Sequence, residues 1–201
     1  MLSNLSRRSF VSGIAASAAA LALPNAAFAL DDRQAKVLVD ALVNDINKVI
    51  ASGKSESSMI MDFERIFARY GDVPMIARSA LGPDARSLSS SQLKAYTTAF
   101  QGYIGRKYGK RFREFIGGKI EVQGARKVKS FYVVDSTVFL KGEAPFGLEF
   151  FVSDKSGRDK FFDMVIEGVS VRISEKGEIG AMYDRSGRNI NALIKKLNQS
   201  G

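Results

Sequence analysis

The feature that most limits the fold is a change of hydrophobic period at Gly117-Gly118. Before it, apolar residues recur at steps of three and four. After it, they alternate every second residue. The first pattern puts one apolar stripe on each helix, and the second puts one apolar face on each strand. A block of helices followed by a block of strands is not the alternating order that builds parallel α/β sheets. It points to an α+β domain with helices laid on one face of a curved, mostly antiparallel sheet.

Over residues 31–52 the positions Ala35, Leu38, Val39, Leu42, Ile46, Val49 and Ile50 make one helical face, and Gly53 is a natural stop. Ser55 is placed to cap a second helix carrying Met59, Ile60, Phe63, Ile66 and Phe67. Asp72 followed by Pro74 starts a short third helix, which Gly82-Pro83 ends. Ser89 or Ser90 opens a long helix with Leu93, Tyr96, Phe100, Tyr103 and Ile104 on it. Gly102, Gly105 and Gly109 lie inside that helix, each costing about 1 kcal/mol relative to Ala. Their spacing predicts close backbone approach, or a break near Tyr108-Gly109-Lys110. Strands are expected over 119–129, 130–141, 146–154, 160–167 and 169–175, and a closing helix over about 189–198.

The first thirty residues read as an address. Ser6-Arg7-Arg8-Ser9-Phe10-Val11-Ser12 has the form of a twin-arginine export motif, followed by an apolar run over 13–23 and an Ala27-Phe28-Ala29 cleavage site. At about 1.5 Å per residue that run spans only about 16 Å, too short to cross a bilayer as a helix. The expected division is a signal peptide over 1–29 and a single domain over 30–201, delivered to the periplasm. The signal holds two arginines and no acid, so a chain with net charge +9 keeps +7 after processing. The chain has no Cys and no His, which excludes thiolate and imidazole chemistry, disulfides and the metal sites built on them.

Two stretches carry a family resemblance. One is Ile76-Ala77-Arg78-Ser79-Ala80-Leu81-Gly82, continuing through Ser89, Gln92-Leu93, Phe100, Tyr103 and Tyr108. The other is Phe162-Asp163-Met164-Val165-Ile166-Glu167-Gly168-Val169-Ser170. In order and spacing they resemble the MlaC family of periplasmic phospholipid-binding proteins, although Pro83-Asp84-Ala85-Arg86 stands where the family commonly has an aromatic residue. The resemblance implies an NTF2-like cone with a C-terminal helix and a lipid-filled cavity between sheet and helices. It implies a shuttle that carries phospholipid between the outer membrane and an inner-membrane ABC transporter, maintaining outer-membrane lipid asymmetry. The partners so implied are the transporter with its MCE-domain component and an outer-membrane lipoprotein–porin complex. It implies no enzymatic activity, no metal and no cofactor other than phospholipid as cargo.

Given that resemblance, the strand faces nominate Leu148, Phe150, Val152, Phe162, Met164 and Ile166 as cavity walls. Tyr132 and Val134, or their neighbours Phe131 and Val133, join them, the face of that strand being open. Phe100, Tyr103, Ile104 and Phe112 are the helical contributions. Composition alone favours an ordinary aromatic core, and the resemblance turns the reading towards a cavity. Arg106, Lys107, Lys110, Arg111 and Arg113 form a basic run suited to anionic headgroups or acidic docking surfaces, or simply to solvation. Export argues against nucleic acid as its partner. Asp163 and Glu167 share a strand face about 13 Å apart, too far for a glycosidase pair, so structural roles are expected. The alternatives to a carrier are an NTF2-like enzyme or binding protein for another small apolar ligand, and a basic interaction module without a cavity.

Overall fold

The computed structural model describes residues 30–201, the side chain of Phe112 excepted. The signal peptide expected over 1–29 therefore lies outside the described residues. Six α-helices and a five-stranded sheet follow in order: α1 (Asp32–Ile50), α2 (Glu56–Tyr70), α3 (Val73–Leu81), α4 (Ser90–Gly109), β1 (Lys119–Val128), β2 (Phe131–Phe139), β3 (Phe146–Ser153), β4 (Lys160–Ile166), β5 (Val169–Ser170), α5 (Val171–Arg185) and α6 (Ile190–Gln199). Short 3-10 turns follow α3 and α4. No described helix is long and apolar enough to cross a membrane.

The helix starts follow the local chemistry. Asp31, Ser55, Asp72, Ser89 and Asn189 each accept a backbone N–H at the first turn of the helix they precede. Asp31 with Gln34 and Ser89 with Gln92 complete reciprocal capping boxes. The sheet is an antiparallel meander in the order β1-β2-β3-β4-β5. A register shift between Val122 and Gly124 interrupts the β1–β2 ladder, and another between Phe151 and Val152 interrupts β3–β4. Such bulges bend the sheet and strengthen its twist. Ile120, Val134, Val138, Leu148, Phe150, Val152 and Phe161 share one buried core with the apolar faces of the helices.

One element departs from the sequence reading. The segment 169–175, expected as a strand, pairs only through Val169 and Ser170 and then becomes α5. Val169, Val171 and Ile173 alternate like a strand, but capping overrides the pattern. Ser170 accepts from the N–H of Ile173, and Asp163 accepts from the N–H of Arg172 at 3.0 Å. Asp163 also takes the Met164 N–H and the Ser170 hydroxyl, so it has the structural role expected of it. Glu167 and Gly168, both at positive φ, make the two-residue hairpin turn into β5.

The glycines of α4 mark close approach. A Cβ on Gly105 would sit 2.9 Å from Glu64 Cβ, and one on Gly109 would sit 2.9 Å from the Cα of Ile60. The two helix backbones thus touch along this line, and α4 ends at Gly109 by tightening into the 3-10 turn Lys110–Arg113. Exposed Gly177 in α5 has open space around it. Gly109→Ala is expected to destabilise by about 1–2 kcal/mol, overpacking outweighing the gain in helix propensity. Gly177→Ala should stabilise by about 0.5–1 kcal/mol. Urea midpoints check both, and equal shifts of the two would contradict the packing account.

Candidate functional site

The inner face of the sheet does not meet the helices everywhere. Between them lies a hollow of about 260 Å³, bordered by Leu148, Phe150, Met164 and Ile166 from the sheet, by Ile46 of α1 and Phe63 of α2, and by Tyr108 of α4. Ile120, Val138, Leu140 and Phe146 extend the apolar wall towards the rim. The rim itself carries Arg111, Glu114 and Phe115 on one side and Glu143 on the other. The walls are thus hydrocarbon and aromatic, with charge confined to the mouth. Such a surface shelters apolar matter and offers little to a polar reaction.

Four of the nominated walls border this hollow: Leu148, Phe150, Met164 and Ile166. Tyr132, Val134 and Val152 lie on the same sheet face, as the pairings Tyr132↔Val152 and Val134↔Phe150 require, but are packed into the core beyond it. Phe100 and Tyr103 are likewise core residues. Ile104 borders a smaller void of about 30 Å³. The side chain of Phe112 lies outside the described residues. Phe162 borders that smaller void too, but the bulge that pairs Val152 with Phe161 turns its ring against Phe131 and Phe151 at 5.5 and 6.1 Å, away from the main hollow. Phe161 takes the inward place instead, against Phe150. Ile46, Phe63 and Tyr108 were not nominated. Each sits on an apolar or glycine-flanked helix face, and nothing local to a helix marks which of its apolar residues faces a gap.

A buried polar cluster closes the inner end. Glu175 of α5 is only 1% exposed. Its Oε1 accepts from Lys107 Nζ and from the Tyr108 hydroxyl, both at 2.6 Å. Lys107 also donates to Glu178, which takes the Tyr103 hydroxyl at 2.5 Å. The 30 Å³ void lies beside this cluster and shares Phe63, Tyr108 and Met164 with the main hollow. Glu175 Oε2 and Arg172 Nε have no hydrogen-bond partner among the described residues, and both residues border that void. Among the described residues no group of three or more acidic side chains is placed to hold a metal ion.

The basic run is largely committed inside the fold. Arg106 donates to the Leu197 and Ser200 carbonyls, Lys107 holds the two glutamates, Lys110 reaches the Gly201 carbonyl and Arg113 pairs with Glu56. Arg111 alone of the five borders the hollow and has no such partner among the described residues.

Burial pushes the phenols of Tyr96, Tyr103 and Tyr108 far above the ordinary value, and Glu175 adds to the rise in all three. A phenol whose folded pKa lies above its unfolded value of about 10 stabilises the fold fully below that pH, and the contribution is lost as pH rises past it. For Glu178, burial works upwards but the hydrogen bonds from Lys107 and Tyr103 outweigh it and lower the pKa, so its contribution is lost as pH falls through the folded value. In an alkaline absorbance titration, these three phenols should stay unionised at about pH 11, one unit past the ordinary value, and ionise together with loss of helical circular dichroism. Titration of every tyrosine near pH 10 without unfolding would contradict the buried cluster.

The arrangement has known counterparts. The phospholipid-binding protein from Ralstonia solanacearum, solved in complex with a phospholipid, matches with a TM-score of 0.69 at 19% identity, over 82% of this chain and 95% of that one. At that identity the likeness establishes the fold, helices on an antiparallel sheet with a closing C-terminal helix. Residues 37–199 match the sequence model of the MlaC protein family, a span that takes in most of α1, the whole sheet and α6 to its end. The chain belongs to the MlaC family.

Proposed function

We propose that this protein carries phospholipid through the periplasm, having been exported by the twin-arginine route, and that it acts without catalysing a reaction. The observation that carries the reading is the apolar hollow between the inner sheet face and α1, α2 and α4, open at a charged rim. A phospholipid released into water exposes about 30 methylenes, which at about 0.8 kcal/mol each amounts to roughly 24 kcal/mol. A carrier must cover most of that area, and apolar walls with a solvated rim do so while leaving the headgroup wet. At about 260 Å³ the hollow is below the roughly 300–1,000 Å³ usual for small-ligand pockets, so the helices must move apart from the sheet to admit two chains. Half-buried Met164 on β4 is an adaptable wall for that opening.

A carrier of this kind only equilibrates lipid, so the direction of transport would be set by an energised partner. We assign that role to an inner-membrane ABC transporter with its MCE-domain component, with an outer-membrane lipoprotein–porin complex at the other end and lipid asymmetry of the outer membrane as the outcome. Family membership supports this placement.

Native mass spectrometry of the purified protein is expected to find phospholipid bound, lost on delipidation and regained from vesicles. Ile166→Trp, which fills the hollow without adding charge, should lower the lipid bound per protein by about tenfold or more, equivalent to about 1.4 kcal/mol, while the thermal midpoint stays close to wild type. Failure of wild-type protein to take up lipid from vesicles would overturn the proposal, as would unaltered loading of a folded Ile166→Trp variant.

A further inference from the structure

The rim of the hollow has a charge pattern of its own. Four of the five residues in the basic run bond groups within the fold, which leaves Arg111 as the member that borders the hollow without such a bond. At the mouth stand Arg111 and two carboxylates, Glu114 beside it and Glu143 in the β2–β3 turn opposite. All three are exposed, and none has an ion-pair partner among the described residues. Lys141, in the same turn as Glu143, does not border the hollow. Phe115, Leu140 and Phe146 border the same hollow, so charged and apolar side chains line it together.

We infer that this rim selects a zwitterionic headgroup, with Arg111 binding the phosphodiester and Glu114 and Glu143 the amine. The inference rests on the phospholipid-carrier reading above and names the headgroup class that reading leaves open. An amphiphile seated by its tails brings its phosphate to the rim, where a guanidinium with no ion pair or side-chain hydrogen bond among the described residues donates to phosphate oxygens in its preferred fork geometry. An ethanolamine headgroup then extends an ammonium towards the two carboxylates. A glycerol headgroup extends only hydroxyls, leaving its phosphate as the sole charge beside two like charges. Exposed pairs of this kind are each worth up to about fivefold in affinity, so a preference and not an absolute choice is expected.

The test uses one vesicle population holding equal phosphatidylethanolamine and phosphatidylglycerol with identical acyl chains, so that attraction of a basic protein to the surface is common to both. Bound lipid is quantified by mass spectrometry after delipidated protein is incubated and re-isolated. Wild-type protein should carry the ethanolamine lipid about threefold to fivefold over the glycerol lipid. Glu114→Gln combined with Glu143→Gln should bring the ratio to that of the vesicles without lowering total lipid. Arg111→Gln should lower retention of both lipids. A wild-type ratio equal to that of the vesicles, or a preference that survives in the double variant, overturns the headgroup assignment while leaving carriage intact. Wild-type protein that carries neither lipid overturns both.

Discussion

A carboxylate buried to the extent of Glu175 must be met by donors, because an unpaired charge in the interior costs several kcal/mol. Lys107 and Tyr108 meet it, and both come from the last turn of α4. Burial works against the charge on Lys107, but its bonds to Glu175 and Glu178 outweigh that and hold its pKa above the ordinary value. The bond from Tyr108 does two things at once. It satisfies the carboxylate, and it fixes the tyrosine ring as part of the wall of the hollow. The position of α4 against α5 therefore sets one boundary of the site.

Packing on the other flank of α4 completes the frame. Gly105 and Gly109 let α2 lie against it at backbone contact, which places Phe63 opposite the sheet. Arg106 donates to carbonyls at the end of α6, so the closing helix is tied to α4 by charge-assisted hydrogen bonds. One helix is thus held by glycine contact on one side, by the ion pairs of Lys107 on another and by a terminal cap on a third. The sheet beside it is bent at its two bulges. A rigid helical frame beside a bent sheet leaves a gap where apolar side chains face each other without filling the space between them.

Charge is distributed accordingly. Cations that sequence reading groups as one patch are used mostly as internal fasteners, and a fastener already bonded has little left to offer a ligand. What faces the mouth is a small mixed set, Arg111 with Glu114 and Glu143. That contrast separates the general attraction of a basic protein to anionic surfaces, which net charge governs, from recognition at the site, which individual side chains govern.

The sequence by itself determined the order of elements as far as Ser170, the caps of the helices it located and most apolar faces, because these depend on residues within a few positions of one another. Asp31, Ser55, Asp72 and Ser89 mark their helices in the chain as they do in the fold. Alternation over 146–154 identified Leu148 and Phe150 as inward-facing for the same reason. It misled at 169–175, where the cap at Ser170 and the reach of Asp163 outweighed alternation, and at Phe162, where one extra residue in a bulge reversed the face. Tertiary structure alone decided which apolar residues border the hollow and which pack solid, since Ile46 and Phe63 read like any other core residue. It also decided that Lys107 is bonded to two glutamates and Arg111 is a rim group, though they lie four positions apart. Such choices depend on what stands across a gap in space, and the local pattern of a chain carries no record of that.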